Sequence, residues 1–364
     1  MARSRRQLNL EDIAALAGVS RSTVSRVVNA DAKVSDAVRA RVLEVMADTH
    51  FHPNAAARSL ATSRSRIIGL VFPRVFTTMF TDPWASVLIK GCIEAAERAD
   101  LSLVHLLVST EDDAAVDTFF KRSVMGRHLD GVVLASHLIG DLLVHRLQQS
   151  DFPYVLVGRD SENSAHFVDI DNRRAARIAT QHLIDHGYRR ILHLSGPSDL
   201  VTANDRIAGF YDAIADSQIN RADVSLVCAS FDQLDGYTAT CNVLQQPNRP
   251  EAIFAGNDAM AIGAIQAARE MGLSVPHDLA VIGFDDIDMN RAFRTELTTV
   301  RQPSDVLGRM AVAALVNQIN DPSPTPVQQW QAAELIVRGS CGCSFTNRQG
   351  FGLSHRKETQ PIVS

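Results

Sequence analysis

No apolar run in this chain approaches the roughly 18 residues that a membrane-spanning helix needs, so no transmembrane segment is expected. The start, MARSRRQ, is basic like an export signal. However, Glu11 and Asp12 interrupt any apolar stretch behind it, and no cleavage site follows. Cysteine is scarce and scattered, at positions 92, 228, 241, 341 and 343. An odd number without framework spacing argues against a disulfide-stapled secreted fold and suits reduced thiols in the cytoplasm. Metal-ligand patterns also fall short. Cys341-Gly342-Cys343 offers two of the four ligands zinc usually takes. His182 and His186 stand one helical turn apart, but no third ligand lies nearby in a recognisable pattern and no general-base glutamate lies between them. Neither a metal nor another cofactor is expected. The chain lacks GxSxG, a P-loop lysine and HExxH, and Ser195-Gly196-Pro197 reads as a strand exit, not a nucleophile elbow. These absences argue against an enzyme.

What is present is organised. A length of 364 residues allows two or three domains, and 46% hydrophobic with 21% charged residues is ordinary for a globular chain. Charge is not evenly spread. Residues 1–66 carry 11 Lys+Arg against 6 Asp+Glu, a net of +5, while the rest carries 25 against 35, a net of −10. A basic end on an acidic body suits recognition of a polyanion by that end, with salt-sensitive affinity.

The stretch Leu10 to Asn29, LEDIAALAGVSRSTVSRVVN, reads as two short helices and a tight turn. Ile13, Ala14, Leu16 and Ala17 fall at helical spacing. Gly18 ends the first helix because glycine enters left-handed backbone without a Cβ clash. Val19 plugs the turn and Ser20 is placed to cap the second helix. Val24, Val27 and Val28 then face inward, with Arg21, Ser22, Ser25 and Arg26 outward. This is the pattern of a helix-turn-helix whose second helix enters a DNA major groove. Ser35 is placed to cap a third helix with inward Val38, Val42, Val45 and Met46, and Arg39 and Arg41 near its start are placed to reach phosphates. Beyond it, PNAAARSLAT favours helix but is too short to be stable alone, so it needs a template.

From Ile67 the pattern changes to short apolar strands alternating with amphipathic helices, which implies βαβ units and parallel sheets. IIGLVFP opens a first series. FVDI opens a second, so two similar lobes are expected, with a ligand between them at the carboxyl ends of the strands. Strand ends place Asn257, Asp258, Asp285 and Asp286 there, with Arg206 just beyond the loop GPSDLVTAND. An amide, carboxylates and a guanidinium in one cleft suit a polyhydroxylated ligand. Turn capping is the competing role for Asp258 and Asp286 above all. In the first lobe, Pro73, Phe80, Asp82 and Trp84 either line the cleft or pack as core.

The segment AxxAGVSxxTVSRVVN, residues 14–29, resembles the signature of the LacI/GalR family of bacterial transcription regulators, and the resemblance extends to about Gly339. It implies an all-α helix-turn-helix head (8–52), a hinge helix and linker (53–66), and an α/β body (67–340). That body is a two-lobe periplasmic-binding-protein-like domain with parallel sheets. Residues 341–364 are expected as a disordered tail. The resemblance makes Arg21, Ser22, Thr23, Ser25, Arg26 and Asn29 DNA-contacting, with Leu60 wedging the minor groove and Ala57 packing closely across a dimer. It makes Arg206, Asn257 and Asp285 effector contacts, with Phe231 stacking on a sugar face; Arg159, at a strand end, and Trp84 complete the candidate set. The implied partners are double-stranded operator DNA, a small effector, expected to be a sugar, and a second copy of the chain as a homodimer, with no membrane. The expected activity is that of a cytoplasmic regulator, expected as a repressor. The alternatives are a regulator using a nucleobase or other metabolite as corepressor and, less favoured for want of an export signal, a transport-type sugar-binding protein.

Overall fold

The computed structural model describes residues 8–28, 33–51, 64–73, 83–135, 138–287, 296–321, 325–343 and 359–362. The chain forms two compact units, Met1–Arg66 and Ile67–Ser364. No helix among the described residues is long and apolar enough to cross a membrane.

In the first unit, helices α1 (Leu10–Ala17), α2 (Arg21–Val28) and α3 (Asp36–Asp48) close on a small core of Ile13, Ala14, Ala17, Val24, Val27 and Val42. A reciprocal capping box starts α1. The Asp12 amide donates to Asn9 Oδ1 at 3.0 Å and the Asn9 amide donates to Asp12 Oδ2 at 2.9 Å. Gly18 ends it at φ 62. Two expectations fail locally. Leu16 lies outside the core at 59% exposure, because the α2 and α3 faces meet α1 along Ile13, Ala14 and Ala17. Ser35 occupies the N-cap position, but its hydroxyl makes no capping bond; its carbonyl accepts from the Val38 and Arg39 amides instead.

The second unit contains two sheets. In chain order the strands are β1 (Ile67–Pro73), β2 (Ser102–Val108), β3 (Gly131–Ala135), β4 (Tyr154–Val157), β5 (Phe167–Ile170), β6 (Ile191–Ser195), β7 (Val224–Cys228), β8 (Ala252–Ala255), β9 (Ala280–Asp285), β10 (Thr298–Arg301), β11 (Gln328–Gln331), β12 (Ala333–Ile336) and β13 (Thr359–Ile362). One sheet has the order β11-β5-β4-β3-β1-β2 and is parallel throughout. The other has the order β13-β12-β10-β9-β8-β6-β7. It is parallel from β10 to β7, with β12 and β13 added antiparallel at one edge. Strands such as β3, β4, β6, β8 and β9 are buried at every residue, as sheets covered on both faces require.

The helices are α4 (Pro83–Arg98), α5 (Asp113–Phe119), α6 (Leu142–Gln148), α7 (Asn172–Asp185), α8 (Val201–Ala215), α9 (Gln233–Leu244), α10 (Asp258–Glu270) and α11 (Ser304–Asn320). α7 packs on α8 in the second lobe, whereas α11 returns to the first lobe against α4, β3 and β4. Gly209 permits the α7–α8 contact, since a Cβ there would lie 1.9 Å from the Arg173 carbonyl oxygen. The chain therefore crosses between lobes three times, around 171, at 302–303 and at 332.

This connectivity corrects two readings. FVDI, expected to open the second lobe, is β5 of the first sheet, beside β4. An apolar strand carries no signal of which sheet it joins; the crossing comes after it, at α7. Residues 341–364, expected as a disordered tail, begin with a buried Cys341 and include β13. The edge of β12 presents open backbone donors and acceptors, which an added strand satisfies.

Candidate DNA interface and ligand cleft

Serine and threonine hydroxyls organise the start of α2. The Thr23 amide donates to Ser20 Oγ at 3.2 Å, and that hydroxyl lies 2.8 Å from Ser22 Oγ and 2.9 Å from Thr23 Oγ1. Arg21, Ser22 and Arg26 are exposed, and Thr23 and Ser25 are half-buried beside them. Arg21 Nε pairs with Glu11 Oε1 at 2.8 Å, with both side chains more than half exposed. Such a pair is worth little in water and is readily exchanged for a phosphate. The outward face of α2 thus presents two guanidiniums and three hydroxyls, the donor and acceptor types that base edges and phosphates pair with. Asn29, Ala57 and Leu60 lie outside the described residues.

In the body, the carboxyl ends of the two sheets face each other. The loop after β3 meets the loop after β6 through a bridge between Leu138 and Leu200, and the Ile139 amide donates to the Asp199 carbonyl at 2.7 Å. Arg159, just past β4, reaches across to Asp205 on α8 in a bidentate pair, Nε to Oδ2 at 2.9 Å and Nη2 to Oδ1 at 2.5 Å. Its own amide donates to Asp169 Oδ2 at 2.9 Å. Asp169 Oδ1 accepts from Asn172 Nδ2 at 3.0 Å, and Asn172 Oδ1 accepts from Arg206 Nε at 3.0 Å. Burial pushes the Asp169 carboxyl up to about 7, against the lowering pull of the Arg159 and Ile170 amides.

Arg206 is the centre of this network. It is only 6% exposed, donates from Nη1 to the Gly256 carbonyl at 2.5 Å, and lies over the Phe284 ring 3.7 Å from its centroid. The hydrogen bonds and the stacked ring fix the guanidinium at the strand ends. Asn257 caps α10, its Oδ1 accepting from the Met260 amide at 2.9 Å, while its Nδ2 donates to the Phe231 carbonyl at 2.8 Å. That bond anchors Phe231, whose φ of 67 turns its ring over Gly196 and against Leu138, Leu200 and Ala203, 5.9 Å from the Arg206 guanidinium. Asp285 closes β9 at φ 116 and accepts a bond from Gln302, which sits on a lobe crossing.

The structure brings Arg159, Arg206, Asn257, Phe231 and Asp285 to the strand ends. Trp84 is half-buried against the main core at the first turn of α4, so packing accounts for it. Asp258 is fully buried and holds the fold. Its Oδ1 accepts from Thr299 Oγ1 at 2.6 Å and its Oδ2 from the Ile287 amide at 3.0 Å. Asp286 pairs with Arg301 at 2.7 Å and Arg338 at 2.5 Å, another structural role. Asp169, Asn172, Asp205 and Gln302 are network members that the sequence reading passed over. Asp169 lies in β5 itself, Asn172 and Asp205 in helices and Gln302 one residue beyond β10, and no spacing rule separates them from ordinary caps or strand residues.

Behind Arg206 lies His193, fully buried on β6. Its ring stacks on Phe254 at 4.6 Å and Phe210 at 5.2 Å, and Nδ1 donates to the Phe254 carbonyl at 2.9 Å. Desolvation lowers its pKa to about 4, reinforced by the nearby Arg206 charge. Between about 4 and 6.5 the unfolded chain therefore binds more protons than the folded one. The stabilisation is fully present above 6.5 and is lost as pH falls through that window, up to roughly 3 kcal/mol. The urea midpoint of wild type is expected to fall more steeply from about pH 7 to about pH 5 than that of His193→Leu. Parallel slopes would remove His193 from the account.

A helix-turn-helix unit on an α/β body with a preformed guanidinium at facing strand ends defines a DNA-binding regulator controlled through a ligand cleft. The family comparisons agree. Residues 9–54 match the model for bacterial regulatory proteins of the lacI family, and residues 180–341 match a periplasmic binding protein-like domain. The HTH-type transcriptional regulator CelR of Thermobifida fusca is 33% identical over 92% of this chain and 99% of its own length. The ribose operon repressor of Escherichia coli K12 is 33% identical over 91% of this chain and 99% of its own. Among solved structures, a lac repressor dimer bound to operator and the anti-inducer ONPF aligns with a TM-score of 0.79 and 25% identity. That alignment covers 92% of this chain and 99% of the other. A CelR–cellobiose complex aligns at 0.69 and 31% identity, with the same coverage of both chains. The chain belongs to the LacI family of bacterial transcriptional regulators.

Proposed function

We propose that this chain is a homodimeric repressor, acting in the cytoplasm, whose operator affinity is set by a sugar bound between the lobes. It works by binding and not by turnover. The observation that carries the reading is Arg206, buried, stacked on Phe284 and held by Asn172 and Gly256 at the strand ends. A guanidinium preorganised in that way donates in fixed directions, as paired hydroxyls require. Asp285 supplies the acceptor and Phe231 the apolar face; Arg159 bridges to Asp205 and sets how the lobes close. Two relatives support the class of effector, one solved with cellobiose and one named for ribose. On the DNA side, Arg21, Ser22, Thr23, Ser25, Arg26 and Asn29 contact the operator, with Leu60 as the minor-groove wedge and Ala57 as its close-packing partner. Ligand affinity that differs between open and closed lobes shifts operator affinity by that difference and no more.

The test is a thermal-shift screen of sugars, sugar phosphates and nucleobases on the full chain. A ligand at 100 times its Kd stabilises the fold by about 2.7 kcal/mol, a readily measured rise in melting temperature. A mono- or disaccharide as the strongest hit is expected. A nucleobase that stabilises the chain where sugars do not would overturn the sugar assignment and leave the regulator class standing.

A further inference from the structure

The two partial metal patterns dismissed in the sequence meet in the fold. His182 and His186 share one face at the end of α7, and the segment after β12 carries Cys341 and Cys343 onto that face. His182 Nε2 lies 3.3 Å from Cys341 Sγ and 3.1 Å from Cys343 Sγ; His186 Nε2 lies 2.9 Å from Cys343 Sγ; the two sulfurs are 2.9 Å apart. The donor atoms of His182, His186 and Cys343 all fall within 4.8 Å of one another. We propose that His182, His186, Cys341 and Cys343 form a Cys2His2 zinc site that staples the chain after β12 to α7.

Three observations support zinc over a chance cluster. First, the donor set is the composition and number of a closed structural zinc centre. With Zn–S of about 2.3 Å and Zn–N of about 2.0 Å, the edges of a tetrahedron are about 3.8 Å between sulfurs and about 3.5 Å between sulfur and nitrogen. Along the four close edges above, the side chains need to spread by less than about 1 Å to admit the ion, while Cys341, which lies outside the 4.8 Å group, must also turn toward His186 to complete the tetrahedron. Second, His186 is oriented as a ligand. Its Nδ1 donates to the His182 carbonyl at 2.6 Å, which leaves the lone pair on Nε2, the atom facing Cys343. Metal-bound histidines are oriented in this way. Third, the cysteine turn is built to shape. Gly342 sits at φ 89, and a Cβ there would lie 2.8 Å from the Tyr188 hydroxyl, which itself donates to the Cys341 carbonyl at 3.2 Å. Thr298 Oγ1 donates to Cys341 Sγ at 3.1 Å, and Ser340 Oγ donates to the Val281 carbonyl at 2.6 Å, tying the turn to the second sheet. Sequence spacing cannot show this, because the two pairs stand 155 or more positions apart and on different elements.

The staple acts on α7, the helix whose opposite end offers Asn172 to Arg206. Zinc binding to the folded state alone adds directly to the stability of this lobe.

The test uses the untagged full chain, since a polyhistidine tag binds zinc. Elemental analysis of the purified protein is expected to find one zinc per chain. Exchange into cobalt(II) is expected to give thiolate-to-cobalt charge transfer with the intense visible bands of a tetrahedral site. C341S/C343S is expected to lose both the stoichiometric zinc and the charge-transfer band, and H186Q, at an exposed position, to bind zinc at least about 100-fold more weakly. That loss exceeds the range seen when a group merely supporting a ligand is removed. C228S, which changes an exposed cysteine elsewhere, is expected to leave both readings at the wild-type level. Should the double serine variant fail to fold, the H186Q titration and the melting temperature of wild type with and without a zinc chelator still decide. Two results would overturn the site. One is protein without stoichiometric metal whose cobalt spectrum matches that of H186Q. The other is a Cys341–Cys343 disulfide that persists after reduction and zinc addition.

Discussion

Asp285→Asn is expected to weaken effector binding at least about tenfold while operator affinity without effector stays near the wild-type value. The asparagine removes the charge and keeps the shape. At the positive φ of 116 it is less strained than alanine, and its side-chain oxygen still accepts from Gln302. The loss therefore reports the charge-assisted bonds to ligand hydroxyls, each worth about 1.5–3 kcal/mol. By the usual conversion that is a factor of roughly 10 to 150 for one bond. Calorimetry with the sugar found by the screen, run beside an operator titration, separates the outcomes. Unchanged sugar affinity would remove Asp285 from the site. Weakened operator binding in the absence of sugar would mean that Asp285 acts by holding the lobe crossing through Gln302.

Arg26→Ala is expected to cost about 1–3 kcal/mol on the specific operator and much less on random DNA. Arg26 is exposed on the outward face of α2, one turn beyond Ser22, while Val24 and Val27 hold the helix against the core. A contact to a base edge discriminates between sequences; a contact to phosphate does not. Titrations at several salt concentrations distinguish them. Base readout predicts a salt slope close to wild type and a loss confined to the operator. Equal losses on both DNAs, with the slope reduced by about one, would assign Arg26 to a phosphate.

The head was legible because its signals are local. The Gly18 stop, the Ser20 cap and three valines at helical spacing all fall within residues 18–28, and the fold uses each as read; the capping Asn9, one residue before the segment read as helical, went unnoticed. The body was legible as alternating strands and helices, but not in its connectivity. FVDI looks the same in either sheet, and the antiparallel edge formed by β12 and β13 follows from a late lobe crossing that no periodicity announces. At the cleft, strand ends pointed to Arg206, Asn257 and Asp285, which the fold gathers. Asn172 and Asp205 stayed hidden because their role depends on which helix lies opposite which strand end. The histidine and cysteine pairs went unjoined for the same reason: a ligand set split between α7 and a distant turn has no sequence spacing to read.

A ligand bound in the body is expected to change how the head binds DNA. The direct measurement is operator affinity of the wild-type chain with and without saturating sugar, saturation being verified by calorimetry in the same buffer. A coupling of about 1–3 kcal/mol predicts a change in operator Kd of about 5- to 150-fold, with the sugar concentration for half of that change raised at least about tenfold in Asp285→Asn. An operator Kd that is the same with the cleft filled or empty would contradict the account.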